Sequence, residues 1–217
     1  MEIRQITILT SRLNEVRTFY SSLLGFTVID DSASSVTFEA GTSTFTFLAD
    51  HTHAYYHFAF GIPFNRFQEA FRWLEDRTEI LSIEDGGKIA DFKNWNAQSF
   101  YFHDPAGNIV EFIARYHWNA AADGVFSVAE IYSINEIGLV SADIRSVAHE
   151  FEEMGLAHYF RGPKLNDFMP MGDDNGLLLL CATGKNWMPT GRPAEQFPIK
   201  ISVFENNREY NLAIEEK

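Results

Sequence analysis

Alternation along the apolar strands of this 217-residue chain sorts its polar side chains onto one face. Gln5 lies opposite Ile6 and Ile8, Thr46 opposite Phe45 and Phe47, and His57 opposite Phe58 and Phe60. Tyr101 lies opposite Phe100 and Phe102, and Glu111 opposite Val110 and Phe112. A flat antiparallel sheet would simply wet that face. A curved sheet would turn the same residues into the lining of a concave pocket. Tyr101 and His103 stand on the pocket side of their strand. A phenol or imidazole placed there can donate or accept a proton, so both are candidate catalytic residues. His51 and His53 flank a loop and carry no such signal.

The elements that must hold these residues repeat. Gln5–Leu9, His57–Gly61 and Glu136–Val140 are each followed by an apolar stripe stepping +3, +4, +3. The stripes are Leu13, Val16, Tyr20, Leu23; Phe64, Phe67, Phe71, Leu74; and Ile144, Val147, Phe151, Met154. Such steps mark one face of a helix. Asp143 suits an N-cap, Pro63 a first turn, and Gly25 and Gly155 left-handed C-caps. Short strands follow each helix, so each unit reads β-α-β-β-β. In the second unit these are Glu79–Ile83, Lys88–Phe92, Ser99–Phe102 and Ile109–Ala114. In the third they include Ala157–Arg161, Phe168–Met171 and Leu177–Cys181. The turn Asp104-Pro105-Ala106-Gly107-Asn108 joins the last two strands of unit two. Ile199–Phe204 begins a fourth unit with no helix stripe behind it. The fold class is α+β: paired βαβββ modules plus a third, partly completed one.

Composition narrows the function. Thirty acidic against 17 basic residues give a net charge of −13, which argues against nucleic acid as a partner. The single cysteine, Cys181, excludes an intramolecular disulfide and a cysteine-rich zinc site. No apolar leader or membrane-length run is present, and a cytoplasmic location is the expectation. Twenty phenylalanines supply a large core.

Gln5-Ile-Thr-Ile, Phe19-Tyr20 with Leu24-Gly25-Phe26, His57-Phe-Ala-Phe and the Asp104–Phe112 run together resemble the vicinal oxygen chelate superfamily. This is the glyoxalase I, bleomycin-resistance and extradiol dioxygenase group. The resemblance implies a glyoxalase/dioxygenase-like domain of two units over residues 1–117, a linker at 118–127, and a partial second domain at 128–217. It implies a cupped sheet around a divalent metal, held by the first and last strands of each unit. Carried over by position, the ligands are Gln5, His57 and Glu111, with Thr46 near the fourth place. That mix suits Fe(II), Mn(II), Ni(II) or Zn(II). Glyoxalase I enzymes typically carry glutamate near Thr46, and extradiol enzymes carry histidine where this chain has Gln5. Glu136 stands at the corresponding position of unit three, but Leu177–Leu180 supplies no polar companion, so that half reads as structure or pocket wall. The implied function is a metal-dependent enzyme on a small aromatic or oxygenated metabolite, ring-cleaving dioxygenation first. A glyoxalase-type isomerase or lyase, or a metal-free binding protein of the bleomycin-resistance type, are the alternatives. An unpaired third unit would leave a sheet edge and an apolar face exposed, which argues for a homodimer. The long 184–198 loop either covers the pocket mouth or reaches a partner subunit.

Overall fold

The computed structural model describes residues 1–117 and 121–214; residues 118–120 of the expected linker lie outside the described ones. Unit one comprises β1 (Glu2–Thr10), α1 (Leu13–Thr18), β2 (Val28–Asp31), β3 (Ser35–Ala40) and β4 (Ser43–Ala49). Unit two comprises β5 (His57–Gly61), α2 (Phe67–Glu75), β6 (Ala90–Phe92), β7 (Ala97–His103) and β8 (Ile109–Arg115). Unit three comprises β9 (Ser133–Ser141), α3 (Ile144–Glu153), β10 (Phe168–Asp173) and β11 (Gly176–Ala182). A two-residue ribbon, β12 (Asn186–Trp187) with β13 (Arg192–Pro193), precedes a hairpin of β14 (Ile199–Glu205) and β15 (Arg208–Ile214). No helix among the described residues is long and apolar enough to cross a membrane.

The first and last strands of every unit run parallel: β1 with β4, β5 with β8, and β9 with β11. Two expected strands shrink to single bridges, Ile80 to Phe102 and His158 to Met171. The helix stripes cover the aromatic face, burying Val16, Tyr20, Phe67, Leu74, Ile144 and Phe151. One stripe is displaced. Beyond Thr18 the first helix widens into a π-helix, Phe19–Leu24. The wider turn rotates the face, so Leu24 is buried and Leu23 is exposed. Gly25 then closes it at φ 85°, a conformation that costs glycine little.

Pairing between units decides where a site can form. β5 pairs antiparallel with β9, so unit two is completed by unit three. β1 pairs antiparallel with β14, so unit one is completed by the C-terminal hairpin. β1 and β9 touch in register only at Ile3 and Ile134. Units one and two therefore do not share a cup. The strands themselves give the reason. β9 is buried on both faces over Ser133–Val140, lying between β5 and β11 with the Trp187 indole packed over Gly138. β1 alternates buried with partly buried residues from Ile6 to Thr10, after an exposed pair at Arg4 and Gln5, and suits a sheet with one half-open face.

Candidate metal centre

β5 lies between β8 and β9, and one small residue sits at the middle of the three. Ala59 is in register with Glu111 on β8 and with Glu136 on β9. His57, two residues earlier, shares its face. The methyl group of Ala59 leaves room for both carboxylates to reach over it toward the imidazole. Ligand atoms of His57, Glu111 and Glu136 all lie within 4.8 Å of one another, and all three residues are buried.

The histidine is oriented by backbone. Its Nδ1 lies 3.0 Å from the Ile109 carbonyl oxygen, which can only accept, so Nδ1 carries the proton. Nε2 is left with a bare lone pair, 3.5 Å from Glu111 Oε2. This is the tautomer that metal-bound histidines adopt. Burial, partly offset by the Ile109 bond, holds the imidazole neutral down to about pH 4.

Glu136 is oriented by Arg115 Nη2, and Arg115 Nε donates to Asn135 Oδ1 at 2.7 Å. The Arg115 side chain is wholly buried, with its guanidinium 5.4 Å from the centre of the Trp95 ring. Burial raises the Glu136 carboxyl to about 7 against the opposing pull of Arg115. Burial and the neighbouring Glu136 charge push Glu111 well above the usual carboxylate range. Glu111 Oε1 is buried without a hydrogen-bond partner. Two buried carboxylates thus face one guanidinium, and one carboxylate oxygen is unsatisfied. A divalent cation would supply the missing charge and the missing partner, so these residues fit a metal. A donor set of one imidazole nitrogen and two carboxylates suits Fe(II), Mn(II) or Zn(II).

Tyr101 lies opposite Glu111 in register, its ring 6.3 Å from that of His57. Burial, then the Glu111 charge, keeps its phenol protonated far above the usual range. His103 is at the exposed end of β7, its Nδ1 3.2 Å from the Asn108 carbonyl oxygen of the turn.

Gln5 does not join the cluster, which corrects the expected ligand set. It is exposed on β1, in register with Thr44 and Ser202. It lines a groove of about 250 Å³ with Thr7, Lys200 and Asn211. Its strand neighbour is β14, not β5, so the right residue type stands in the wrong cup. Thr46 is on the same side of the molecule, its Oγ1 2.9 Å from that of Thr37. Glu136, which the repeat puts at the corresponding position of unit three, stands beside His57 instead, because unit three pairs with unit two.

The Asp104–Asn108 turn sets the register of this site. Asp104 Oδ1 accepts from the amides of Ala106 and Asn108, at 2.9 and 3.0 Å. Its Oδ2 accepts from the Tyr20 hydroxyl at 2.9 Å and from Asn108 Nδ2 at 2.8 Å. Asn108 Oδ1 in turn accepts from the Tyr56 amide at 2.8 Å. The turn thereby ties the first helix to the entry of β5 and the start of β8.

The sequence profile of the Glyoxalase/Bleomycin resistance protein/Dioxygenase superfamily matches residues 2–112. No curated protein matches the chain. Among solved structures, a Bacillus subtilis protein described as a candidate dioxygenase superposes with a TM-score of 0.59 at 20% identity. That match covers 88% of this chain, which spans 65% of the other's length. A lactoylglutathione lyase from Agrobacterium tumefaciens matches at TM-score 0.39 and 18% identity, over 54% of this chain and 95% of its own.

Proposed function

The chain belongs to the Glyoxalase/Bleomycin resistance protein/Dioxygenase superfamily, and on that premise we propose that it is a metal-dependent enzyme acting on a small metabolite with two adjacent oxygens. The observation that carries this reading is the convergence of His57, Glu111 and Glu136. When bound, a divalent ion supplies Lewis acidity and open positions for two oxygens of one molecule. The chain's own residues hold the rest. Ile109 fixes the His57 ring, Arg115 fixes the Glu136 carboxylate, and Tyr101 keeps a proton beside Glu111 for transfer to a developing oxyanion.

Within the superfamily, the site favours ring-cleaving dioxygenation. β11 contributes Leu177 and Leu179 to the cup side of its strand, so the fourth ligand place is apolar. Three protein ligands leave more of the coordination sphere to substrate than four do. The comparison with a candidate dioxygenase from Bacillus subtilis supports the fold of this reading.

Metal analysis of protein purified without chelator tests it. We expect one divalent metal per chain, lost in His57→Ala and in Glu136→Ala while circular dichroism keeps the native spectrum. Gln5→Ala is expected to keep its metal. Metal bound at full stoichiometry by the His57→Ala chain would refute the site.

A further inference from the structure

The cup above the three candidate ligands is filled by the chain itself. Trp187 is buried, 6% exposed, with its ring centre 5.1 Å from that of His57. It reaches there because Gly138 has no side chain: a Cβ on Gly138 would meet Trp187 Cη2 at 2.6 Å and Cζ2 at 2.9 Å. Gly138 is two residues past Glu136, on the same face of β9. The indole therefore stands on the ligand side of the sheet. The space left around Tyr55, His57, Gly138 and Trp187 is about 10 Å³, at the lower limit for one water molecule. A metabolite cannot enter it as it stands.

The strap that carries Trp187 is held differently from the indole. Residues 184–198 are clasped at the rim by Arg192, whose Nη1 donates to the Gly107 carbonyl at 3.0 Å and whose guanidinium lies 3.2 Å from the Tyr55 ring centre. The Tyr55 hydroxyl donates to the Pro193 carbonyl. Arg192 is only partly buried, and Pro193 and Glu195 are exposed. An apolar side chain thus fills the cup, and a polar clasp open to water holds the Arg192 end of the strap. Phe197, its ring centre 5.2 Å from that of Tyr55, anchors the far end, with the Tyr56 hydroxyl donating to the Pro198 carbonyl at 2.7 Å.

We propose that Trp187 is a removable plug: the 184–198 strap lifts from its Arg192 clasp to admit a small molecule, and Trp187 governs access to His57, Glu111 and Glu136. The proposal rests on the metal-site reading for its purpose but not for its test. Cys181 is the chain's only cysteine, 1% exposed, in the same apolar cluster as Trp187 and paired with Val140 on β9. Cys181 lies on the same sheet face as Gly138, over which the indole packs, so its thiol is expected to become reachable when the indole leaves. Ellman's disulfide reagent, applied to the full chain without metal, reads that opening. Wild type should label slowly. Arg192→Ala keeps the plug but loosens the clasp, and it should label faster by about tenfold, the scale set by losing one charge-assisted hydrogen bond. Gly138→Ala, whose new methyl collides with the indole, should also label faster. Both variants must keep wild-type unfolding rates, so that global opening does not supply the signal. Wild-type labelling rates in Arg192→Ala would overturn the plug. Fast labelling in a chain that binds no metal would keep the plug and overturn the metal reading.

Discussion

Arg115 meets Glu136 directly and has Glu111 on its own strand, four residues away, so it sets the charge of the whole cup. Its side chain is entirely buried, and its Nη1 lacks a hydrogen-bond partner, with Asp174 Oδ1 3.8 Å away. A buried ion pair is worth little against an apolar replacement, but breaking one from a single side is costly. Arg115→Met should therefore lower stability by about 3–5 kcal/mol in metal-free protein. Adding Glu136→Gln should recover most of that loss, as measured by urea denaturation of both variants. If the double change is no better than the single one, Arg115 does not act through Glu136. Sequence alternation put His57 and Glu111 on one face, and the family resemblance singled them out as candidate ligands. Neither could separate Gln5 from Glu136, since both hold the same place in their units. The choice depended on which strand borders β5, a long-range pairing that local spacing does not encode.

Elements position the site through motifs whose own chemistry is structural. The Phe19-Tyr20 and Asp104–Asn108 runs are far apart in sequence, yet the Tyr20 hydroxyl donates to the Asp104 carboxylate. Their joint role is to fix where β8 starts, and so where Glu111 stands. Burial pushes the Asp104 carboxyl above its usual range, with its bonds to Asn108 and Tyr20 pulling the other way. The folded chain thus holds that proton more tightly than the unfolded chain. This group favours folding most below the ordinary carboxylate value, and less as pH rises through its raised one. Tyr20→Phe removes a bond to the charged form and raises the Asp104 value further. We expect a cost of about 1.5–3 kcal/mol near neutral pH and a smaller cost at acid pH, where more of the carboxyl is protonated. Equal costs at both values would place the effect in ring packing instead. The helices were legible from their stripes, but the π-turn was not. Its extra residue per turn moves Leu24 inward in place of Leu23, and nothing in the apolar spacing marks it.

For the whole molecule, the pairing of unit two with unit three changes what metal binding does. The expected homodimer drew its reason from a third unit left without a partner, and β5 now supplies that partner. What remains is a candidate site whose residues are split between units: His57 and Glu111 from one, Glu136 from the other. A metal bound there would tie the two units across the β5–β9 pairing. The pairing of β1 with β14, which lacks these ligands, would gain nothing locally. A ligand that binds only the folded chain stabilises it by about 2.7 kcal/mol at a hundred times its dissociation constant. Added Mn(II) should therefore raise the thermal midpoint, and a chelator should return it. Hydrogen exchange should then slow most in β5, β8 and β9, with β14 and β15 little changed. Equal protection in both halves would mean that the metal acts on global unfolding alone. Protection confined to β1 and β14 would place the metal in the Gln5 groove and reverse the assignment of the site.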